Sequence, residues 1–99
     1  MHCRFDWDPA KEVANIRKHK VSFRIAATVF RDPNQVSIYD DDHSEYEDRW
    51  ITIGIDSGSV LRVLVHTFKQ VDQDSIEIRI ISARRATLQE SRQYQERAL

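Results

Sequence analysis

The spacing of apolar positions changes period along this chain, and the changes mark out its elements. Phe5 and Trp7 alternate with Asp6 and Asp8, which suits a short strand. Asp8-Pro9 then reads as a helix N-cap followed by the first helical residue, because proline's missing N–H has no partner there in any case. Ala10, Val13, Ala14 and Arg17 recur at helical spacing, so the helix is expected to run to about residue 19. Ser22 caps a second expected helix that turns Ala26, Val29 and Phe30 toward a sheet, and Asp32-Pro33-Asn34 stops it. From Val36 the period is two. Strands are expected around Val36 and Ile38 and over 49–55, 60–68 and 75–82, separated by an acidic segment at 40–48 and polar turns at 56–59 and 69–74. The strand over 60–68 is the most apolar and is expected at the centre. Thr87 and Glu90 form a capping box at the start of a last helix. Tight connections between successive strands imply an antiparallel meander. The expected fold is α+β in a single domain over 1–99: two N-terminal helices, a four-stranded antiparallel sheet and a C-terminal helix.

Composition narrows the class. The 99 residues are 40% hydrophobic and 31% charged, which fits a small folded domain and not a disordered chain. No apolar run approaches the roughly 20 residues that span a bilayer, and the first six residues lack the apolar core of a signal peptide, so the expected location is the cytoplasm with no membrane contact. Cys3 is the single cysteine, which excludes an internal disulfide and fits a reducing compartment.

The net charge of −1 conceals a strong segregation. Residues 1–31 carry seven bases and three acids; residues 32–48 carry seven acids and no lysine or arginine; from Arg84 onward four arginines face two glutamates. What matters for nucleic acid is whether the two basic ends converge on one face.

Arg84 and Arg85 lie at the junction between the last strand and the last helix, and Arg79 projects from that strand, all within seven residues. Three guanidiniums on a rigid corner suit a phosphate site, and equally suit a solvated surface. The acidic segment 40–48 lacks the spacing of a calcium loop, and His43 alone makes a poor zinc site, so a solvated loop is expected, with no metal, that places Glu47 beside Arg49 or shields a basic groove. With two glycines in all and no nucleophile elbow, glycine-loop cofactors and serine-hydrolase chemistry are not expected, nor is any other cofactor. Alternation puts Arg79 on one face with Glu77 and Ile81, and His66 on one face with Arg62; if their strands pair, His66 and Arg79 meet across one ladder. Such a set suits metal-free RNA cleavage, in which a base takes the 2′-OH proton, arginines stabilise the phosphorane, and an acid protonates the 5′ oxygen. His66 also fits a semi-buried strand histidine, the Lys18-His19 cluster also fits a helix C-terminus, and Tyr94 also fits simple packing against the sheet.

These pieces occur in a particular order: Phe5-x-Trp7-Asp8-Pro9-x-Lys11; Asn15-x-x-Lys18-His19; Val21-Ser22-Phe23-x-x-Ala26-x-x-Val29-Phe30-x-Asp32-Pro33; Asp42-His43-Ser44-x-x-Glu47-x-Arg49; Ile53-Gly54; and Ile78-Arg79-Ile80-Ile81-Ser82-Ala83-Arg84-x-Ala86-Thr87-x-x-Glu90-x-x-x-Tyr94. Over nearly the whole chain this resembles the BrnT family of bacterial toxins, small ribonucleases of type II toxin–antitoxin systems with a RelE-like fold. The resemblance implies an RNA substrate, cleavage that halts translation and growth, and a partner: a BrnA-like antitoxin with a ribbon-helix-helix domain, forming a hetero-oligomer that binds operator DNA through the antitoxin. It singles out Arg79 and Arg84 as phosphate and transition-state stabilisers. His66 and Glu47 are then the expected proton-transfer groups, and Lys18, His19, Arg49 and Arg85 the RNA-backbone contacts. Two positions depart from the pattern. Lys20 stands where glycine would serve a left-handed helix end, so this turn is expected to be strained or closed differently. Arg62 stands where an apolar residue is usual. The rival expectations are a non-catalytic module that uses the same basic surface to bind a protein, and an attenuated toxin.

Overall fold

In the computed structural model, which describes residues 2–98, six strands and three helices form an α+β domain. They are β1 (His2–Asp6), α1 (Pro9–His19), α2 (Phe23–Ala27), β2 (Val36–Tyr39), β3 (Arg49–Ile55), β4 (Leu61–Thr67), β5 (Lys69–Gln70), β6 (Ser75–Arg85) and α3 (Leu88–Ala98). The strand order is β1-β6-β4-β3-β2, with the short β5 also paired to β6. Strand β4 is central, as its apolar run leads one to expect, and β2-β3-β4-β6 is an antiparallel meander. The sheet is nevertheless mixed, because β1 joins it parallel to β6. A parallel partner needs a long crossover; here everything between the two strands lies in it, a relation that no local pattern carries.

The caps form where the sequence places them. Asp8 accepts from the Ala10 amide (2.8 Å) and Ser22 from the Ile25 amide (3.2 Å). The second helix is shorter than expected: it is α-helical only to Ala27 and tightens into a 3₁₀ turn over Thr28–Arg31. Lys20 takes the left-handed conformation that the glycine would have taken (φ 60°, ψ 32°); its amide donates to Ile16 O, and its Nζ reaches Arg17 O at 3.0 Å.

Helices α1 and α2 lie on one face of the sheet, where Val21, Phe23, Ala26 and Val29 pack on Leu64, Ile78, Ile80 and Ala83. The other face carries α3, with Tyr94 against Ile53 and Val63. Gly54 lets the 3₁₀ turn approach β3, since a Cβ there would stand 2.7 Å from Val29 Cγ1. The expected apolar stripe of α1 does not face the sheet; Ala10, Val13, Ala14 and Arg17 are exposed, and the buried residue of α1 is Asn15. Its carboxamide accepts from Ala83 N (3.1 Å) and donates to Ala83 O (2.9 Å) and Val21 O (3.3 Å). Strand β1 pairs only with Ser75 to Arg79, so further along β6 this amide stands in for the missing strand.

Two stability tests follow from these contacts. Asn15→Ala leaves two buried backbone groups of Ala83 without partners and is expected to cost about 2–4 kcal/mol in urea unfolding. Lys20→Gly relieves a left-handed non-glycine residue and is expected to gain about 0.5–1 kcal/mol in the same measurement; a loss would mean that the Nζ contact outweighs the backbone strain.

Candidate RNA-facing site

The arginines of β6 point where they do because of one unpaired residue. Val65 pairs with Ser82 and His66 with Ile80, so Ile81 is bulged out of the ladder. Strict alternation would send Arg79 and Arg84 to opposite faces. With the bulge, Ile78, Ile80 and Ala83 all enter the core under α1 and α2, while Arg79 and Arg84 project from the α3 face. Around the bulge the ladder is incomplete, and Thr67 Oγ1 accepts from the Arg79 amide at 3.1 Å.

Arg79 meets Glu47 there, its Nη2 donating to Oε2 at 2.5 Å, and Arg49 Nη2 lies 3.7 Å from the other carboxylate oxygen. The cluster is open to solvent, with the Arg79 side chain 44% and the Glu47 side chain 37% exposed. Arg49 Nε is buried and, among the described residues, has no hydrogen-bond partner. Glu47 reaches this position because the acidic segment is a closed loop. Asp40 N donates to Arg49 O (2.8 Å), Ser44 Oγ accepts from Arg49 N (3.0 Å), and Tyr39 donates to Asp48 Oδ1 (2.9 Å). A groove of about 370 Å³ beside Arg79 is lined by Asp6, Glu47, Asp48 and Glu77 as well as by Lys69 and Thr67. Among the described residues no three His, Cys, Asp or Glu side chains converge on a point that would hold a metal.

Arg84 has a different fate. Its two Nη atoms donate to the two oxygens of Glu90 (2.7 and 2.8 Å), a fork that ties β6 to the first turn of α3. Glu90 also closes the expected capping box, accepting from Thr87 N (2.9 Å) while its own amide donates to Thr87 Oγ1 (3.2 Å). The Arg84 fork, with the Thr87 bonds, holds the Glu90 carboxyl down to about 2.

His66 does not meet Arg79. It lies opposite Ile80 on the helix-covered face, 2% exposed, with Nε2 2.6 Å from Thr52 Oγ1 and Nδ1 2.9 Å from Thr67 O. The Phe30 ring stands edge-on at 4.9 Å. Burial pushes the ring's pKa below its ordinary value, against the Thr67 bond, so the imidazole is a neutral core group that donates from Nδ1. Nor does the structure gather the remaining expected RNA contacts. Lys18 and His19 end α1, and Arg85 pairs across the ladder with Arg62, on the face away from Arg79. Arg62 itself is buried and bonds Asp56 Oδ2 (2.8 Å), whose other oxygen accepts from Gly58 N and Val60 N; the pair locks the β3–β4 turn.

Sequence reasoning overlooked the anchor of the last helix. Tyr94 donates to Asp32 Oδ2 (2.6 Å), and Asp32 also accepts from the Ile55 and Asn34 amides. Burial and this bond push the Tyr94 hydroxyl up to about 12. Asp32-Pro33 signalled a helix stop, and nothing local marked the aspartate as the partner of a tyrosine 62 residues away.

Fold and site together define a small α+β domain that presents an arginine–carboxylate cluster on an open sheet face. The family model of BrnT, the ribonuclease toxin of type II toxin–antitoxin systems, matches residues 7–90. The crystal structure of the Brucella abortus ribonuclease toxin BrnT is similar in fold, with a TM-score of 0.54 at 21% identity over 88% of this chain and 99% of that one. No curated protein matches the sequence. The chain belongs to the BrnT family of ribonuclease toxins of type II toxin–antitoxin systems. Among the described residues no helix is long and apolar enough to cross a membrane.

The Arg84–Glu90 fork carries a pH signature. A carboxyl held near 2 against an ordinary 4.5 contributes stability that is complete above about pH 4.5 and lost as pH falls toward 2. Glu90→Gln is therefore expected to cost about 1–2 kcal/mol at pH 7 and to converge with the unsubstituted protein near pH 2 in urea unfolding. A gap independent of pH would remove the fork from the account.

Proposed function

We propose that this protein is a metal-independent endoribonuclease toxin that cleaves RNA and so inhibits translation, acting in the cytoplasm, and that a ribbon-helix-helix antitoxin neutralises it in a hetero-oligomer that binds operator DNA. Family membership supports the substrate and the existence of an antitoxin. The observation that carries the chemistry is the Arg79–Glu47–Arg49 cluster on the open face: two guanidiniums already hold a planar anion between them.

In this reading an RNA phosphate takes the place of the carboxylate between the arginines. Glu47, displaced but adjacent, accepts the 2′-OH proton; the 2′ oxygen attacks phosphorus and the bond to the 5′ oxygen breaks, leaving a 2′,3′-cyclic phosphate. Arg79 and Arg49 stabilise the charge on the phosphorane through the Nη groups that now face Glu47. Solvent on this open face protonates the 5′ oxygen. The guanidiniums supply the positive charge that a metal ion supplies elsewhere. Arg84 lies on the same face and keeps its fork to Glu90, so it adds positive charge toward a bound phosphate without exchanging its carboxylate. His66 takes no part in the proton transfers; it packs the core behind β6. Lys18, His19 and Arg85 add only long-range attraction for a polyanion.

One observation favours a second reading. The groove beside Arg79 carries four carboxylates against two cations, which suits an attenuated toxin or a non-catalytic module that binds a basic protein segment. Incubation of purified protein with RNA in EDTA separates the two. The nuclease is expected to cleave without added metal, and Arg79→Ala to lower the rate about 100-fold or more while remaining folded and to abolish growth arrest. Glu47→Gln is expected to lose a similar factor if the carboxylate is the base. Faster cleavage by Glu47→Gln would make it a plug, and a fully active Arg79→Ala would remove this site.

A further inference from the structure

On the helix-covered face, away from the arginine cluster, the edge of the sheet is open. Strand β1 is an outermost strand, and all five of its residues are exposed. His2 N donates to Asp74 O, so with a period of two His2, Arg4 and Asp6 spend their backbone groups on β6. Cys3 and Phe5 therefore turn their N–H and C=O groups outward to the free edge. Such an edge invites another strand unless charge, proline or a covering element blocks it. Proline is absent from β1.

Beside this edge runs an apolar groove of about 450 Å³ between β1 and α2, floored by Phe5, Trp7, Ala27 and Phe30. Phe5 stands 37% exposed over it, its ring 5.5 Å from that of Phe30. Arg24 and Arg31 stand at its rim, both exposed, and among the described residues neither makes an ion pair. An added strand would lie against Cys3 and Phe5 and turn every second side chain toward the groove, so apolar residues flanked by acidic ones at those alternate positions would meet its floor and the two free guanidiniums at its rim.

We infer that the β1 edge and its groove receive an extended segment of a protein partner, one whose groove-facing positions, every second residue, carry large apolar residues flanked by acidic ones, and which adds to the sheet as a seventh strand. Main-chain bonds to Cys3 and Phe5 give the affinity, and the groove and the two arginines give the selectivity. The face is separate from the Arg79 cluster, so occupancy here tethers a partner without covering the catalytic arginine. The inference takes from the proposed function only that a protein partner exists, and its test reads no cleavage.

The probe is a dye-labelled ten-residue peptide with phenylalanine and isoleucine flanked by glutamates at every second position and threonine at the positions between, with a lysine-for-glutamate peptide as control. Fluorescence anisotropy on the full chain is expected to show binding of the acidic peptide at least tenfold tighter than the control. Arg24→Glu with Arg31→Glu, checked for folding by circular dichroism, is expected to weaken it at least tenfold. Hydrogen exchange at the Cys3 and Phe5 amides is expected to slow at least tenfold on binding. No binding, equal binding of the two peptides, an unaffected double variant, or protection on the β2 edge would each overturn the inference. So would self-association of the unsubstituted chain that the double variant abolishes, since the occupant would then be a second copy.

Discussion

The bulge at Ile81 is the constraint on which the rest of this molecule depends. Strand β6 has to send Ile78, Ile80 and Ala83 into one core, and these positions do not share a period of two. Slipping one residue out of register against Val65 and His66 solves the packing and at the same time turns Arg79 onto the face of Arg84 and Arg49. Core packing and the aim of the arginine are thus a single event. The ladder interruption is small because Thr67 Oγ1 takes the Arg79 amide.

The arginines that stand together in the sequence do different work because their carboxylates differ in what else they hold. Glu90 serves Arg84 and the cap of α3 at once, so exchanging it for a phosphate would unfasten a helix. Asp56 serves Arg62 and a turn in the same way. Glu47 holds Arg79 on an open face, and exposed ion pairs are worth little in water, so this pairing is the one an incoming phosphate displaces at low cost. The distinction between a structural and an exchangeable guanidinium rests on that.

The two faces of the sheet are accordingly unlike. One is closed by α1 and α2 over a core in which His66, Thr52 and Phe30 are locked together. The other is half covered by α3, which Tyr94 and Asp32 clasp, and is open beside the acidic loop. That loop, with no lysine or arginine between 32 and 48, projects a single carboxylate into the arginines instead of lying loose.

What the sequence determined by itself was local: the caps at Asp8, Ser22 and Thr87, the reciprocal Glu90 bond, the central apolar strand and the order of the family's residues. Each is settled within a few residues by backbone hydrogen bonding or by burial on both faces. The tertiary structure decided the parallel pairing of β1 with β6, the bulge, the burial of His66, the solvent-facing stripe of α1 and the separation of Lys18, His19 and Arg85 from Arg79. All of these depend on partners far away in the chain. A period of two says that side chains alternate, but the identity of a face is fixed only when a neighbouring strand and a core claim it.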